Sequence, residues 1–120
     1  MHKNNVIMES KRQRQVAQLI KRNFSNVLME EGMYIYGEAM VSVTDVKMSP
    51  DLRHAKIYIS IFNTDDKNGV YQQILESTPK LKQDLVRKIR NHVRRIPDIK
   101  IFRDDLLDEM YRIDNMLNNL

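Results

Sequence analysis

The chain of 120 residues contains no cysteine and no tryptophan, and has only three glycines and three prolines. Without cysteine there is neither a disulfide framework nor a thiolate to serve as nucleophile or metal ligand. The few glycines form no phosphate-cradling loop, and no Gly/Ser-rich linker, repeat or low-complexity tract divides the chain. No apolar run approaches the roughly twenty residues that cross a bilayer. The opening residues Met1 to Met8 carry Lys3 but lack the apolar stretch of roughly seven to fifteen residues that a secretory signal needs. Histidine is scarce as well: His2, His54 and His92 are far apart and show no ligand spacing, so no metal is expected. Nothing places a serine, a histidine and an aspartate as nucleophile, base and orienter. The expectation is a cytoplasmic protein without cofactor, membrane association or enzymatic activity.

What is present suits one domain. Apolar residues make up 42% and charged residues 30% of the chain, a globular balance rather than a disordered one. A chain of this length can bury roughly two-thirds of its unfolded surface. Residues 1–9 read as a flexible tail and 10–118 as the domain. The net charge is only +4, yet its distribution is uneven. Lys80, Lys82, Arg87, Lys88, Arg90, Arg94 and Arg95 are opposed locally by Asp84 alone, while Asp104, Asp105, Asp108, Glu109 and Asp114 follow them.

Ser10 and Gln13 form a capping-box pattern, after which Val16, Leu19, Ile20, Phe24, Val27 and Leu28 recur at helical spacing as far as Gly32. Lys11 and Arg14 fall on the outer face of this helix, where they either touch phosphate or keep the face soluble. Val41 and Val43 then alternate, and Val46 and Met48 resume in the opposite parity, which predicts a bulge near Thr44 or Asp45. Ser49-Pro50-Asp51 supplies a turn into a second strand with Ala55, Ile57, Ile59 and Ile61 facing inward. Tyr58 and Phe62 face the other way, and cross-strand packing suits them better than base stacking.

Val70, Ile74 and Leu75 mark a short helix interrupted at Ser77-Thr78-Pro79. Proline suits the first position of a new helix, with Thr78 as its expected cap. In that second helix Leu81, Leu85, Ile89 and Val93 repeat every four residues, Ile96 completes the face, and Pro97 is the expected stop. At 100 degrees per residue, Lys80, Arg87, Arg90 and Arg94 share the opposite side as a basic stripe. A third strand around Ile99 and Ile101 follows, then a closing helix capped by Asp104-Asp105, whose acids suit a helix start better than a magnesium site. A strand, two helices and a strand imply a crossover and a parallel pair within a small mixed sheet.

This order, with the run Val46-Lys47-Met48-Ser49-Pro50-Asp51-Leu52-Arg53-His54-Ala55-Lys56-Ile57-Tyr58-Ile59-Ser60 and the run Arg95-Ile96-Pro97-Asp98-Ile99-Lys100-Ile101-Phe102-Arg103-Asp104, resembles the ribosome-binding factor A family across residues 8 to 118. The resemblance implies an α+β fold, a type II KH-like domain of αββααβ order with a kinked helix pair, a short C-terminal helix and a three-stranded mixed sheet. It also implies a factor that binds the small ribosomal subunit and its 16S rRNA, assists late maturation of that RNA and is expected to be monomeric. Like that family, the chain lacks the GXXG loop of ordinary KH domains. It departs from the family at the kink, where Ser77-Thr78-Pro79 stands in place of a small residue, any residue and glycine.

The RNA-contacting residues expected from charge and periodicity are Lys80, Lys82, Arg87, Lys88, Arg90, Arg94 and Arg95, with Lys11 and Arg14 beside them. A DNA-binding helix-turn-helix protein is the competing reading. Against it, the helix offers phosphate-type Lys and Arg, and the hairpin precedes the helix pair. A basic protein-interaction domain is the third reading, and it lacks a spare apolar surface because most periodic apolar residues are assigned to the core.

Overall fold

The computed structural model describes residues 9–104. Its elements are α1 (Lys11–Tyr36), β1 (Met40–Met48), β2 (His54–Phe62), α2 (Lys67–Glu76), α3 (Thr78–Ile89) and β3 (Asp98–Arg103). The strand order is β1-β2-β3, with β1 antiparallel and β3 parallel to β2. This is the αββααβ order and mixed three-stranded sheet expected from the sequence. The closing helix lies outside the described residues.

The capping box closes α1 as the sequence implies: Ser10 Oγ accepts from the Gln13 N–H, and Gln13 Oε1 accepts from the Ser10 N–H. The helix does not stop at Gly32, however, but continues one further turn to Tyr36. Gly32 is helical, and the Tyr36 ring lies against it, so that a side chain on Gly32 would have to displace the Tyr36 hydroxyl. The stop falls to Gly37, whose φ of 78° favours glycine and whose N–H bonds the Met33 carbonyl at 3.2 Å.

The hairpin register shifts between Val43 and Asp45, leaving Thr44 as the extra residue of a bulge. That shift explains the parity change: Val41 and Val43 before it, and Val46 and Met48 after it, all face the same side. Ala55, Ile57, Ile59 and Ile61 are buried against the helices. Together with Phe24, Ile74, Leu81, Leu85 and Ile89 they form one continuous core. Each such fully buried side chain contributes about 2 kcal/mol of apolar transfer.

Two boundaries around α3 differ from expectation. Ser77, not Thr78, is the residue shared between α2 and α3, and Thr78 Oγ1 donates backward to the Ile74 carbonyl at 3.1 Å. Pro79 still occupies the first turn of α3. The larger difference is at the other end, where α3 stops at Ile89 rather than running to Pro97. The His92 N–H closes the last turn on the Ile89 carbonyl at 2.8 Å. The chain then crosses to β3 irregularly, because the Asp98 N–H must reach the Arg53 carbonyl at 2.8 Å and Pro97 must be buried. Val93 and Ile96 pack against the core from this crossing segment. Their helical spacing arises without a helix.

Candidate nucleic-acid interface

The expected basic stripe is divided by the early end of α3. Lys80, Lys82, Arg87 and Lys88 stand on the helix, Arg90 is its C-terminal cap, and Arg94 and Arg95 belong to the crossing segment. The two groups have different electrostatic surroundings.

The cations on α3 are held by carboxylates. Lys80 Nζ bonds Asp84 Oδ2 at 2.8 Å and Glu31 Oε1 at 3.1 Å, and Arg87 Nη1 lies 3.6 Å from Asp84 Oδ1. Lys88 Nζ meets Glu30 at 2.7 Å, and Lys82 Nζ meets Asp98 at 3.4 Å. The packing of α1 on α3 accounts for this, since it sets Glu30 and Glu31, in the C-terminal half of α1, against α3. The hydrogen bond from Lys80 holds the Asp84 carboxyl below its ordinary pKa, with burial opposing. Lys80 is pushed above its ordinary value by its bonds to Asp84 and then Glu31. The exposed pairs add little stability, but with the buried Asp84 they cancel the local field that a polyanion would feel.

At the far end of α3 the balance is different. Arg12 from α1, Arg53 from the hairpin turn, and Arg94 and Arg95 from the crossing segment line one cleft of about 460 Å³. Asp51 is the single carboxylate on its wall. It accepts from the Ser49 hydroxyl at 2.7 Å and the Arg53 N–H at 3.0 Å, and these bonds lower its pKa. Its separation from Arg53 Nε is 4.0 Å. Arg12, Arg94 and Arg95 have no carboxylate partner among the described residues. Guanidinium forks so gathered match phosphate geometry.

The first turn of α1 extends this surface. Lys11, Arg14, Arg22 and His92 border a shallow depression that adjoins Arg12. Arg14 donates to the Glu9 carbonyl at 2.8 Å, which leaves its charge uncancelled. No acidic residue occupies that turn, so three cations oppose the helix dipole there. Leu52, also on the cleft wall, adopts a φ of 62°, a conformation that non-glycine residues seldom take.

The structure therefore brings Arg94, Arg95, Lys11 and Arg14 into one neighbourhood and leaves Lys80, Lys82, Arg87 and Lys88 in the neutralised helix interface. Sequence reasoning missed Arg12 and Arg53. The signal for Arg12 was a first helical turn rich in cations where acids are preferred; Arg53 carried none, because only the fold brings the hairpin turn to α1. Among the described residues no cluster of His, Asp or Glu is arranged to hold a metal, and no helix is long and apolar enough to cross a membrane.

A solved structure described as ribosome-binding factor A from Thermus thermophilus superposes with a TM-score of 0.62 over 76% of this chain and 94% of that one, at 18% identity. This likeness establishes the fold, the KH-like arrangement expected above. Ribosome-binding factor A of Cytophaga hutchinsonii is 38% identical over 113 residues, covering 94% of this chain and 85% of that protein. Its counterpart from Synechocystis sp. is 36% identical over 113 residues, covering 92% and 84%. The family model described as ribosome-binding factor A matches residues 12–117. By sequence across nearly its whole length, this chain belongs to the ribosome-binding factor A family.

Proposed function

We propose that this protein binds the small (30S) ribosomal subunit through its 16S rRNA and assists late maturation of that subunit, including processing of the rRNA precursor. It does so as a cytoplasmic monomer and by binding alone, without catalysis. Membership of a family named for ribosome binding supports the target, and the convergence of Arg12, Arg53, Arg94 and Arg95 on one cleft supports the mode of contact. Phosphate contacts position a protein without reading bases, so the cleft grips folded RNA by its backbone. Arg90, Lys11 and Arg14 extend the grip. The cations on α3 contribute less, because RNA must first displace Glu30, Glu31, Asp84 and Asp98 from them.

Sedimentation with purified small subunits, large subunits and duplex DNA at two salt concentrations tests this reading. Co-sedimentation with small subunits that weakens as salt rises supports it. A preference for large subunits or for duplex DNA overturns it.

A further inference from the structure

The sheet has two faces, and among the described residues the helices cover one. On the other, the register sets Lys47 directly opposite Lys56 and Lys56 directly opposite Lys100, so one lysine from each strand stands in a lateral row. All three are exposed, and none has a hydrogen bond or ion pair among the described residues. Neighbouring strands are about 5 Å apart, and like charges directly opposite one another are unfavourable. A fold that sets three ammonium groups side by side creates a local demand for anions that its own nearby carboxylates do not meet. Asp45, on the same face, accepts from the Val46 N–H at 2.9 Å and makes no ion pair with these lysines. Asp98 is turned toward Lys82.

Beside the lysine row is an aromatic one. Tyr58 and Phe102 are register partners on the same face, with ring centroids 5.5 Å apart and planes inclined by 28°. Both are half-buried. Farther along, Met40 and Phe62 are also register partners, 61% and 48% exposed. The face therefore presents a line of cations, then a pair of rings, then exposed apolar ground.

We infer that this open sheet face is a second RNA-binding surface, distinct from the arginine cleft, and that it takes a single strand. The lysine row contacts phosphates while Tyr58 and Phe102 offer a platform on which unpaired bases stack. A duplex keeps its base faces stacked internally and would use the lysines alone. An acidic peptide would satisfy the lysines and leave the rings unused. Single-stranded RNA is the polyanion that uses both rows. The face adjoins the cleft, because Arg53 and Arg95 also line a hollow with His54 and Asp98, and His54 precedes the lysine row on the same face of β2.

Fluorescence anisotropy with a labelled single-stranded RNA of roughly ten nucleotides, and the full chain, tests this surface. Changing Lys47, Lys56 and Lys100 together to Gln should weaken binding at least tenfold at low salt. The log–log salt slope should fall by about 2, at about 0.7 per phosphate lost. Thermal stability should hold or rise, since a repulsive row has been removed. Tyr58→Leu with Phe102→Leu should cost roughly fivefold or more, and ultraviolet cross-links on the native chain should map to these two residues. Unchanged affinity and slope in the lysine variant, with native circular dichroism, overturn the inference. So does displacement of the RNA by poly-glutamate at equal charge combined with indifference to the ring substitutions, which assigns the face to an acidic peptide. The cleft is judged separately, by small-subunit sedimentation of an Arg12→Gln, Arg94→Gln, Arg95→Gln variant, so either surface can fail without the other.

Discussion

Gln13 bonds in two directions from the first turn of α1: its Oε1 accepts from the Ser10 N–H at 2.8 Å, and its Nε2 donates to the Met48 carbonyl at 3.0 Å, 35 residues away. At 7% exposure it is buried, so neither bond is readily replaced by water. One side chain thus caps the helix and fastens it to the end of β1. Replacing it with Ala removes the reciprocal cap and leaves a buried carbonyl without a donor, a combined loss of about 2 kcal/mol. Urea unfolding should show a lower midpoint at unchanged slope. Gln13→Glu separates the two roles, because it keeps the acceptor for Ser10 and loses the donor for Met48. If Gln13→Glu unfolds with the native protein, the bond to Met48 contributes nothing.

Gly37 ends α1 with φ 78° and ψ −140°, a backbone conformation that side chains disfavour. Nothing lies within 4 Å of where a Cβ would stand, so the penalty for substitution is conformational rather than a clash. Gly37→Ala should destabilise the fold by about 1–3 kcal/mol. A chemical-denaturation curve superimposable on that of the native protein would contradict this account of the helix stop.

The ion cluster around Asp84 makes stability depend on pH at both extremes. A carboxylate whose pKa is lowered on folding adds stability above its unfolded value of about 3.9, and that contribution is lost as pH falls through the lowered value. Lys80 is raised, so its contribution is complete below about 10.4 and is lost as pH rises through the raised value. Between these limits the cluster's contribution is flat. Asp84→Asn should therefore flatten the acid limb of the melting temperature when it is followed from roughly pH 5 down to 2. On the alkaline side the loss is partial, because Lys80 keeps Glu31.

Two sets of neutralising substitutions separate the helix from the cleft. Lys80, Lys82, Arg87 and Lys88 changed to Gln should leave small-subunit affinity within a few-fold of native, since these charges are already cancelled by Glu30, Glu31, Asp84 and Asp98. Arg12, Arg94 and Arg95 changed to Gln should lower the salt slope by about 2 to 3, at roughly 0.7 to 0.9 per phosphate contact. Binding measured at two ionic strengths decides the matter. Equal losses in the two sets would mean that the internal ion pairs do not shield α3.

Most of the architecture is legible in local sequence pattern. Helical spacing located α1 and the start of α3, parity located the bulge to Thr44 or Asp45, and alternation identified the inward face of β2, because each is a local pattern that burial on one side imposes on the chain. The capping box was legible for the same reason, as both partners lie within one turn. Helix ends were not. Gly32 resembled a stop and is instead a seat for the Tyr36 ring, while Val93 and Ile96 continued a helical period from a segment that the bond from Asp98 to Arg53 draws out of the helix.

Charge was divided in the same way. Composition and spacing showed where basic residues are concentrated in the chain, but which of them are neutralised depends on neighbours distant in sequence. Lys80 with Glu31 and Lys88 with Glu30 are pairs made only when α1 packs on α3. Arg12, Arg53 and Arg95 share a cleft only because the hairpin turn, the first turn of α1 and the crossing segment meet in space. Coulomb interactions act through distance rather than through sequence separation, so local pattern gave the supply of cations and tertiary packing decided which of them remain available to RNA.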